Sequence, residues 1–254
     1  GAWNYPGTLA AYNRYRSNDG TLDNYAVDGL FTSNHDLVRP INKVLGQLTA
    51  SGDINGRGTI TSSNSQKANE MALTTMAAVI LLPGLSWIYY GDELGMSSNL
   101  PSGASEQSPH ADRFARQPFK WDQAGTNQYT TGYTFSGDKT YSVEWDNYNL
   151  TLPGVHEQSA NGESMLSMVK YLTEIKKNHD AFKIGDYVPL PVSGYSENYN
   201  VFAFARSYEG QTYKVYINMS NQTTSLSGLT GSVLLTLKGA TMTSLAPWSI
   251  LVVN

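Results

Sequence analysis

The sequence predicts an α/β part followed by an all-β part. Up to about residue 185, apolar strands and helices alternate, and each strand runs into a polar loop, as in parallel α/β units. After Gly185, short runs rich in aromatic and β-branched residues are separated by turn residues, among them Glu209–Gly210 between two predicted strands, which is typical of a β-sandwich. We therefore predict two domains, over residues 1–185 and 186–254.

Four segments indicate the elements of the first domain. "PGTLAAYNRYRSNDG" predicts a short helix over residues 6–20, and a strand over residues 27–32 follows it. "SQKANEMALTTMAAVILLPG" predicts a helix that is apolar nearly all round and is therefore buried. "LSWIYYGDELGM" is aromatic and β-branched, which predicts a short buried strand that ends in acids. A complete β/α barrel needs about 250 residues. With only two clear strands before residue 185, a complete barrel does not fit.

The rest of the first domain is a long polar stretch and one amphipathic helix. Residues 97–157 show no sustained period, which predicts a long loop of functional or inserted character. Its aromatic residues form either a platform that stacks on sugar rings or a small core under the loop. These are Phe119, Trp121, Tyr129, Tyr133, Tyr141, Trp145 and Tyr148. The helix within residues 159–182 has an apolar face formed by Met165, Met168, Val169, Leu172 and Ile175.

The composition favours an uncharged polar partner. Only 15% of the residues are charged, against about 25% in an average globular domain, and there are 17 tyrosines. A net charge of −4 without a basic stripe argues against nucleic acid. The absence of cysteine excludes disulfides and Cys-ligated zinc. The longest apolar run, near residues 76–82, is too short to cross a bilayer. No signal peptide is visible and the chain does not start at Met, so we expect a processed or truncated product.

Carboxylates follow both predicted strands of the first domain. Asp36 comes after the first strand, and Asp92 with Glu93 comes after the second. The carboxyl ends of parallel strands are where such folds place their chemistry. Asp and Asn are also common as turn and cap residues, so a purely structural role for the "NHD" segment stays open at this point.

Five segments in order resemble the α-amylase family of glycoside hydrolases, family 13. "VDGLFTSNHDLVRP" resembles the segment that closes the seventh barrel strand, and "PGLSWIYYGDELGM" resembles the eighth-strand segment. "RQPFKWD" is similar to an "R.PM.WD" element of oligoglucosidase-like members. Residues 154–190 resemble the last barrel helix and its exit, and "NVFAFARSYEGQTYKVYINMS" resembles the start of the family's C-terminal β-domain. The resemblance implies the C-terminal part of a (β/α)8 TIM barrel followed by an all-β sandwich domain.

The resemblance also implies roles for four residues. Asp36 matches the third catalytic carboxylate, which stabilises the oxocarbenium-like transition state, and His35 matches its sugar-binding neighbour. Asn34 and Arg39 occupy motif positions as well. We expect them to bind substrate, to shape the loop and to hold Asp36 ionised.

The other two members of the family's catalytic triad have no match here. The nucleophile and the general acid belong after earlier strands, yet only 33 residues precede Asn34 and they contain no matching segment. The family's calcium ligands also lie mostly upstream, so we expect no cofactor in this chain. We expect an α-glucan or malto-oligosaccharide substrate, no activity of the chain alone, and completion by an upstream barrel segment or by self-association.

Two other functions stay open. The chain is alternatively a non-catalytic carbohydrate-binding or structural module that uses the β-sandwich and the aromatic loop. A weaker alternative is an inverting hydrolase that pairs Asp36 with Asp92 or Glu93, since inversion needs carboxyl groups roughly 6.5–9.5 Å apart. Low charge, many Tyr and Asn residues and no cysteine favour an extracellular or periplasmic bacterial protein.

Overall fold

A computed structural model of the chain describes residues 29–46, 57–100, 111–123, 145–190 and 201–254. The predicted helix at residues 6–20 and the first two residues of the predicted strand lie outside this part. The chain divides into two compact units. The sheet unit holds residues 29–30 and 77–87 with the described part of 172–254, and the loop unit holds the described parts of 31–76 and 88–171.

Six α-helices and two short 3₁₀ turns lie in the described ranges. The 3₁₀ turns are Asp92–Leu94 and Ala111–Ala115. The helices are α1 (Pro40–Gly46), α2 (Ser65–Leu81), α3 (Asn147–Thr151), α4 (Val155–Ser159), α5 (Met165–Asn178) and α6 (Asp180–Ile184).

The described strands form three sheets. β1 and β2 make a two-stranded sheet, β3, β4, β5, β9 and β7 make a five-stranded sheet in that order, and β6 pairs with β8. The pairings of the five-stranded sheet are antiparallel. The strands are β1 (Gly29–Phe31), β2 (Leu85–Trp87), β3 (Asp186–Pro189), β4 (Val201–Tyr208), β5 (Gln211–Asn218), β6 (Thr224–Ser225), β7 (Val233–Leu237), β8 (Ser244–Leu245) and β9 (Ile250–Val253).

The five-stranded sheet is covered on both faces. Val201, Leu251 and Val253 pack into one cluster with Leu245 of the small β6–β8 sheet, which is the sheet-on-sheet packing of a sandwich. On the other side, the ring of Phe182 from α6 lies 5.4 Å from that of Tyr213. This double coverage explains why β4 and β9 read as nearly continuous apolar runs.

The hairpin between β4 and β5 turns at the predicted Glu209–Gly210 pair. Tyr208 pairs with Gln211, and the two turn residues have φ values of 47° and 80°. Two-residue hairpin loops favour positive φ because that backbone twist matches the twist of the strands. The prediction of this turn is confirmed.

The two long helices follow the predicted patterns. In α2, residues from Ala68 to Leu82 are buried on nearly every side. All five residues of the predicted apolar face of α5 are buried, whereas Lys170, Glu174 and Lys177 are exposed. The distribution of apolar residues along the sequence was therefore sufficient to place both helices, and its period also oriented α5.

The C-terminal end of α2 receives a buried and a half-buried cation within the sheet unit. Arg206 of β4 donates to the Leu81 carbonyl at 3.1 Å, and Lys176 of α5 donates to the carbonyls of Leu82 and Gly84. The last carbonyls of a helix lack intrahelical partners and carry the negative end of the helix dipole, so cations stabilise them. Burial, together with the nearby charge of Arg206, lowers the pKa of Lys176 to about 8.

Two expectations about the first domain need correction. β2 was expected to be buried, but Leu85 and Trp87 are 57% and 63% exposed. They alternate along the strand and share one face, which no described element of the sheet unit covers. The stretch 97–157 is not a plain loop, because its described parts contain the second 3₁₀ turn with α3 and α4. The domain boundary at residue 185 stays a prediction.

Candidate active site

The loop after β1 presents the "NHD" segment at the surface of the loop unit. The Asn34 side-chain oxygen accepts a hydrogen bond from the backbone N–H of Asp36 at 2.8 Å. The Asn34 carbonyl accepts from the Leu37 N–H at 3.3 Å. This is the local turn that Asn favours, because its short side chain replaces a backbone acceptor. Asn34 therefore shapes the loop as expected, and its contact with substrate stays a prediction.

The Asp36 carboxylate lies between side-chain nitrogens of His35 and Arg116. Oδ2 lies 3.2 Å from Nε2 of His35, and Oδ1 accepts from Nη2 of Arg116 at 2.9 Å. The side chains of His35 and Asp36 remain 65% and 60% exposed. The carboxylate is thus held in orientation by side chains on both sides and stays open to solvent.

Arg116 is the site residue that sequence reasoning did not assign. Arg116 makes two hydrogen bonds to this loop, because its Nε donates to the His35 carbonyl at 2.9 Å in addition to the bond from Nη2 to Asp36. A guanidinium presents several donors in a fixed plane, which suits it to hold a backbone oxygen and a carboxylate together. The signal was present in the sequence, because Arg116 opens the "RQPFKWD" segment.

Arg39 does not hold Asp36, and that expectation is wrong. Arg39 is fully buried, and its Nη1 donates to Asp92 Oδ1 at 3.0 Å and to the Tyr90 carbonyl at 2.7 Å. Its Nη2 donates to the Ala115 carbonyl at 2.9 Å. The guanidinium carbon also lies 5.0 Å from the ring centroid of Tyr89. A side chain so enclosed has no surface for a sugar, so Arg39 supports the loops behind the site.

Asp92 is the buried partner of Arg39. Its Oδ2 also accepts a hydrogen bond from the Ser33 hydroxyl. Burial raises the pKa of Asp92 to about 6, although Arg39 and the Ser33 hydrogen bond act in the opposite direction. A fully buried carboxylate with both oxygens bonded cannot approach a substrate. Asp92 is therefore excluded as the second acid of an inverting pair. Burial raises the pKa of the neighbouring Glu93 as well.

A buried amide network supports the chain just beyond this acidic turn. The Asn42 side chain accepts from the Ser98 N–H at 2.7 Å and donates to the Asn99 side chain at 2.8 Å. Asn99 in turn bonds both backbone groups of Ile60 at 2.8 Å. Buried polar groups that are fully paired rigidify their surroundings. The backbone at residues 97–99 is therefore fixed from α1 and from the approach to α2.

The aromatic residues of the long polar stretch divide into two groups. Trp145 is 5% exposed, its indole donates to the Pro118 carbonyl, and Lys120 lies 4.1 Å from its ring centroid. Tyr148 packs against the same core. Trp121 is 54% exposed instead. The predicted platform residues Tyr129, Tyr133 and Tyr141 lie outside the described ranges.

Neither metal ligands nor a membrane span stands out in the described ranges. Among these residues, no group of three or more His, Cys, Asp or Glu side chains is arranged to hold an ion. In the same ranges, no helix combines the length and the apolar character that a bilayer crossing requires. The predicted position of calcium ligands upstream stays a prediction.

Solved structures first define the fold. A mutant isomaltulose synthase from Erwinia rhapontici NX5, solved with sucrose, matches with a TM-score of 0.68 at 17% identity, over 100% of this chain and 46% of its own. Eubacterium rectale Amy13B matches with a TM-score of 0.62 at 18% identity, over 97% and 42%. The neighbours are TIM-barrel enzymes. The predicted fold class, the C-terminal part of a (β/α)8 barrel followed by an all-β sandwich, is confirmed.

Sequence comparison then gives the family. The family model described as the alpha-amylase catalytic domain matches residues 5–185. An alpha-glucosidase of Apis mellifera is 30% identical over 164 residues, which are 59% of this chain and 26% of that protein. A glucan 1,6-alpha-glucosidase of Streptococcus dysgalactiae is 26% identical over 214 residues, 77% of this chain and 36% of that protein. The chain belongs to the alpha-amylase family.

Family membership leaves the activity and the finer properties of the protein open. The predicted family is confirmed. The chain spans between about a quarter and under half of the length of the relatives above. Activity, linkage and partners of the whole protein are therefore matters for a proposal.

Proposed function

We propose that Asp36 is the transition-state-stabilising carboxylate of a retaining hydrolase that cleaves α-1,4-glucosidic bonds in starch or malto-oligosaccharides. The observation that carries the proposal is the setting of Asp36. It is the carboxylate of the described loop after β1 that is both exposed and oriented from two sides, by His35 and Arg116. Relatives named alpha-glucosidase and alpha-amylase support the reaction class.

The geometry suits the role because half of the carboxylate's acceptor capacity is unused by these two contacts. Two oxygens offer about four lone-pair sites. Arg116 occupies one on Oδ1, and Nε2 of His35 lies 3.2 Å from Oδ2. The remaining sites face solvent and can accept hydroxyl groups of a sugar. Hydrogen bonds to the sugar 2-OH that strengthen as the ring distorts contribute several kcal/mol in glycosidases. His35, adjacent and exposed, is placed to contact the same sugar.

We propose further that the nucleophile and the general acid come from an upstream barrel segment. Retention requires two carboxyl groups about 5 Å apart, one of which forms the covalent glycosyl-enzyme intermediate. Of the described acids after β2, Asp92 is enclosed with Arg39, and Glu93 is half-buried. The chain alone is then inactive. The proposal also includes calcium ligands in the upstream part and an extracellular or periplasmic location. Self-association is the alternative source of the missing strands.

The test compares the chain alone with the chain joined to upstream barrel strands. New reducing ends from maltoheptaose are measured for both, with isomaltotriose as the α-1,6 substrate. We expect product only from the joined form. Asp36→Asn should lower its kcat by about 10²- to 10⁴-fold, because several kcal/mol of transition-state binding are lost. Glu163→Gln, an exposed acid on a distant turn, is the matched control and should leave kcat unchanged.

Two results contradict the proposal separately. Hydrolysis by the chain alone that disappears with Asp36→Asn shows that a complete site exists in the 254 residues. Full activity of the joined form with Asp36→Asn removes the catalytic role of Asp36. Preferred cleavage of isomaltotriose changes only the linkage to α-1,6.

A further inference from the structure

Three aromatic rings form a row in the loop unit beside the candidate site. The rings of Tyr90 and Phe119 are 6.3 Å apart, and those of Phe119 and Trp121 are 4.8 Å apart, both edge to face. Tyr90 is 37% exposed and Trp121 is 54% exposed, whereas Phe119 is partly buried between them. We call these three residues the aromatic row.

The backbone under the row is fixed. The carbonyls of Lys120 and Trp121 accept from the N–H groups of Val155 and His156 at 3.1 and 2.9 Å. A Cβ at Gly154 would lie 2.3 Å from the Asp122 backbone nitrogen, so only glycine permits this approach. At the other end of the row, the Tyr90 hydroxyl donates to the Gln117 carbonyl at 2.9 Å. The exposed rings therefore stand on a rigid support.

The surface of the row carries no charge of its own. Lys120 and Asp122 flank Trp121 in the sequence, yet both are fully buried. Lys120 points inward, since its ammonium donates to the Leu150 carbonyl and lies over the Trp145 ring. The guanidinium that lies 5.2 Å from the Tyr90 ring centroid belongs to Arg39, which is also fully buried. The solvent-exposed part of Trp121 therefore has no charged sequence neighbour at the surface, which matches an uncharged ligand with apolar C–H faces.

The row lies on the same segment as the arginine that holds Asp36. Arg116, which holds Asp36, lies five residues before Trp121 on the same segment. Even fully extended, five residues span at most about 18 Å, which one oligosaccharide can bridge. A ligand anchored at Asp36 therefore has the aromatic row within its reach.

We propose that the aromatic row is a stacking site for the glucan chain that extends from the sugar bound at Asp36, with Trp121 as its main contact. This inference rests on the proposed function. Fixed aromatic side chains bind with little loss of conformational entropy, which suits them as platforms. Trp is also the residue type most often found to dominate binding energy. The row then recognises chain length, beyond the sugar at the reacting bond.

Calorimetric titration of the 254-residue chain with maltotriose and maltoheptaose tests the stacking site. We expect Trp121→Ala to weaken maltoheptaose binding by about tenfold, the usual effect of losing a strong aromatic contact. Trp121→Phe should retain part of the affinity, and maltotriose should respond less than maltoheptaose. Tyr171→Ala, which removes a 46% exposed ring on α5 outside the row, is the control and should bind as the native chain does. Circular dichroism checks that each variant is folded.

The outcomes separate this inference from the proposed function. If Asp36→Asn weakens binding but Trp121→Ala does not, the stacking site is wrong and the role of Asp36 stands. If Trp121→Ala weakens binding but Asp36→Asn leaves both ligands unaffected, the row stands and the chain acts as a non-catalytic binding module. Absence of binding to the native chain overturns the stacking site, and so does a change in oligomeric state without a change in affinity.

Discussion

Two arginine–aspartate pairs in the loop unit have nearly the same length and opposite surroundings. Arg39 and Asp92 are 3.0 Å apart with neither side chain exposed. Arg116 and Asp36 are 2.9 Å apart with exposed fractions of 43% and 60%. Asp36 and Arg39 are only three residues apart in the sequence, so one short segment contributes to both pairs.

The difference shows that burial decides what an ion pair does. A buried pair is stable only when hydrogen bonds satisfy its groups, and Arg39 has three carbonyl or carboxylate acceptors for this purpose. Removing one partner then leaves an uncompensated charge. The exposed pair contributes little to stability, but it leaves acceptor sites of Asp36 open for a ligand. The first pair supports the fold, and the second leaves a carboxylate accessible to solvent and ligands.

The largest expected effect that tests this contrast comes from Arg39→Met. It leaves the Asp92 carboxylate buried without its cation, so the free energy of unfolding should fall by about 3–5 kcal/mol. Urea unfolding at pH 7 measures the change. Arg116→Met is the matched control, because the same substitution at the exposed pair should cost about 1 kcal/mol or less. Equal losses for the two variants would remove the contrast.

A smaller effect is expected for Asp92→Asn, and it carries a pH signature. Asn can still accept from Arg39, so the loss at pH 7 should be about 1–3 kcal/mol. The folded pKa of Asp92, about 6, lies above its ordinary value of 3.8, so between these pH values the folded state holds more protons than the unfolded state. The contribution of Asp92 to stability is therefore fully present below about pH 4 and declines as pH rises to about 6.

Unfolding curves of the native chain and Asp92→Asn at several pH values between 4 and 7 measure this difference. The native-minus-variant free energy should decrease across that interval. A difference that increases with pH would mean that the Asp92 pKa is lowered by Arg39 more than burial raises it.

The smallest effect is expected at the exposed pair. A double-mutant cycle of Asp36→Asn and Arg116→Gln should give a coupling free energy between about 0 and 1 kcal/mol, since water screens the pair. The cycle is measured by urea unfolding at low and at moderate salt, and the coupling should shrink as salt is added. A coupling well above 1 kcal/mol would show that Arg116 and Asp36 stabilise the fold as the buried pair does.

Local patterns in the sequence predicted the helices and the hairpin because those elements depend on nearby residues. The apolar face of α5 and the Glu209–Gly210 turn needed only spacing and turn preference. The short helix α3 was also readable in principle, since Asp146 caps it by accepting from the N–H groups of Tyr148 and Asn149. The exposure of Leu85 and Trp87 could not be predicted from the local sequence, because burial depends on which other elements cover a strand.

The sequence pointed to the loop that carries Asp36 and His35 but not to the partners of its side chains. The resemblance pointed to Asp36 and His35, and the structure places both at the surface. Arg116 lies 80 residues beyond Asp36, and Asp92 lies 53 beyond Arg39, so no local pattern reports either contact. Choosing Arg39 as the partner of Asp36 followed from closeness in sequence, which the fold did not preserve.

The buried Arg206 at the end of α2 has a consequence for shortening the chain. Arg206 donates to the carbonyls of Leu81 and Gly185, at 3.1 and 3.0 Å. A chain cut at residue 185 would lose that donor and leave those acceptors to water. The last turn of α2 should then fray, and its amide protons should exchange faster with deuterium. A strand after residue 185 thus holds the end of a helix that precedes it. Removing the strands would make the last turn of α2 less rigid.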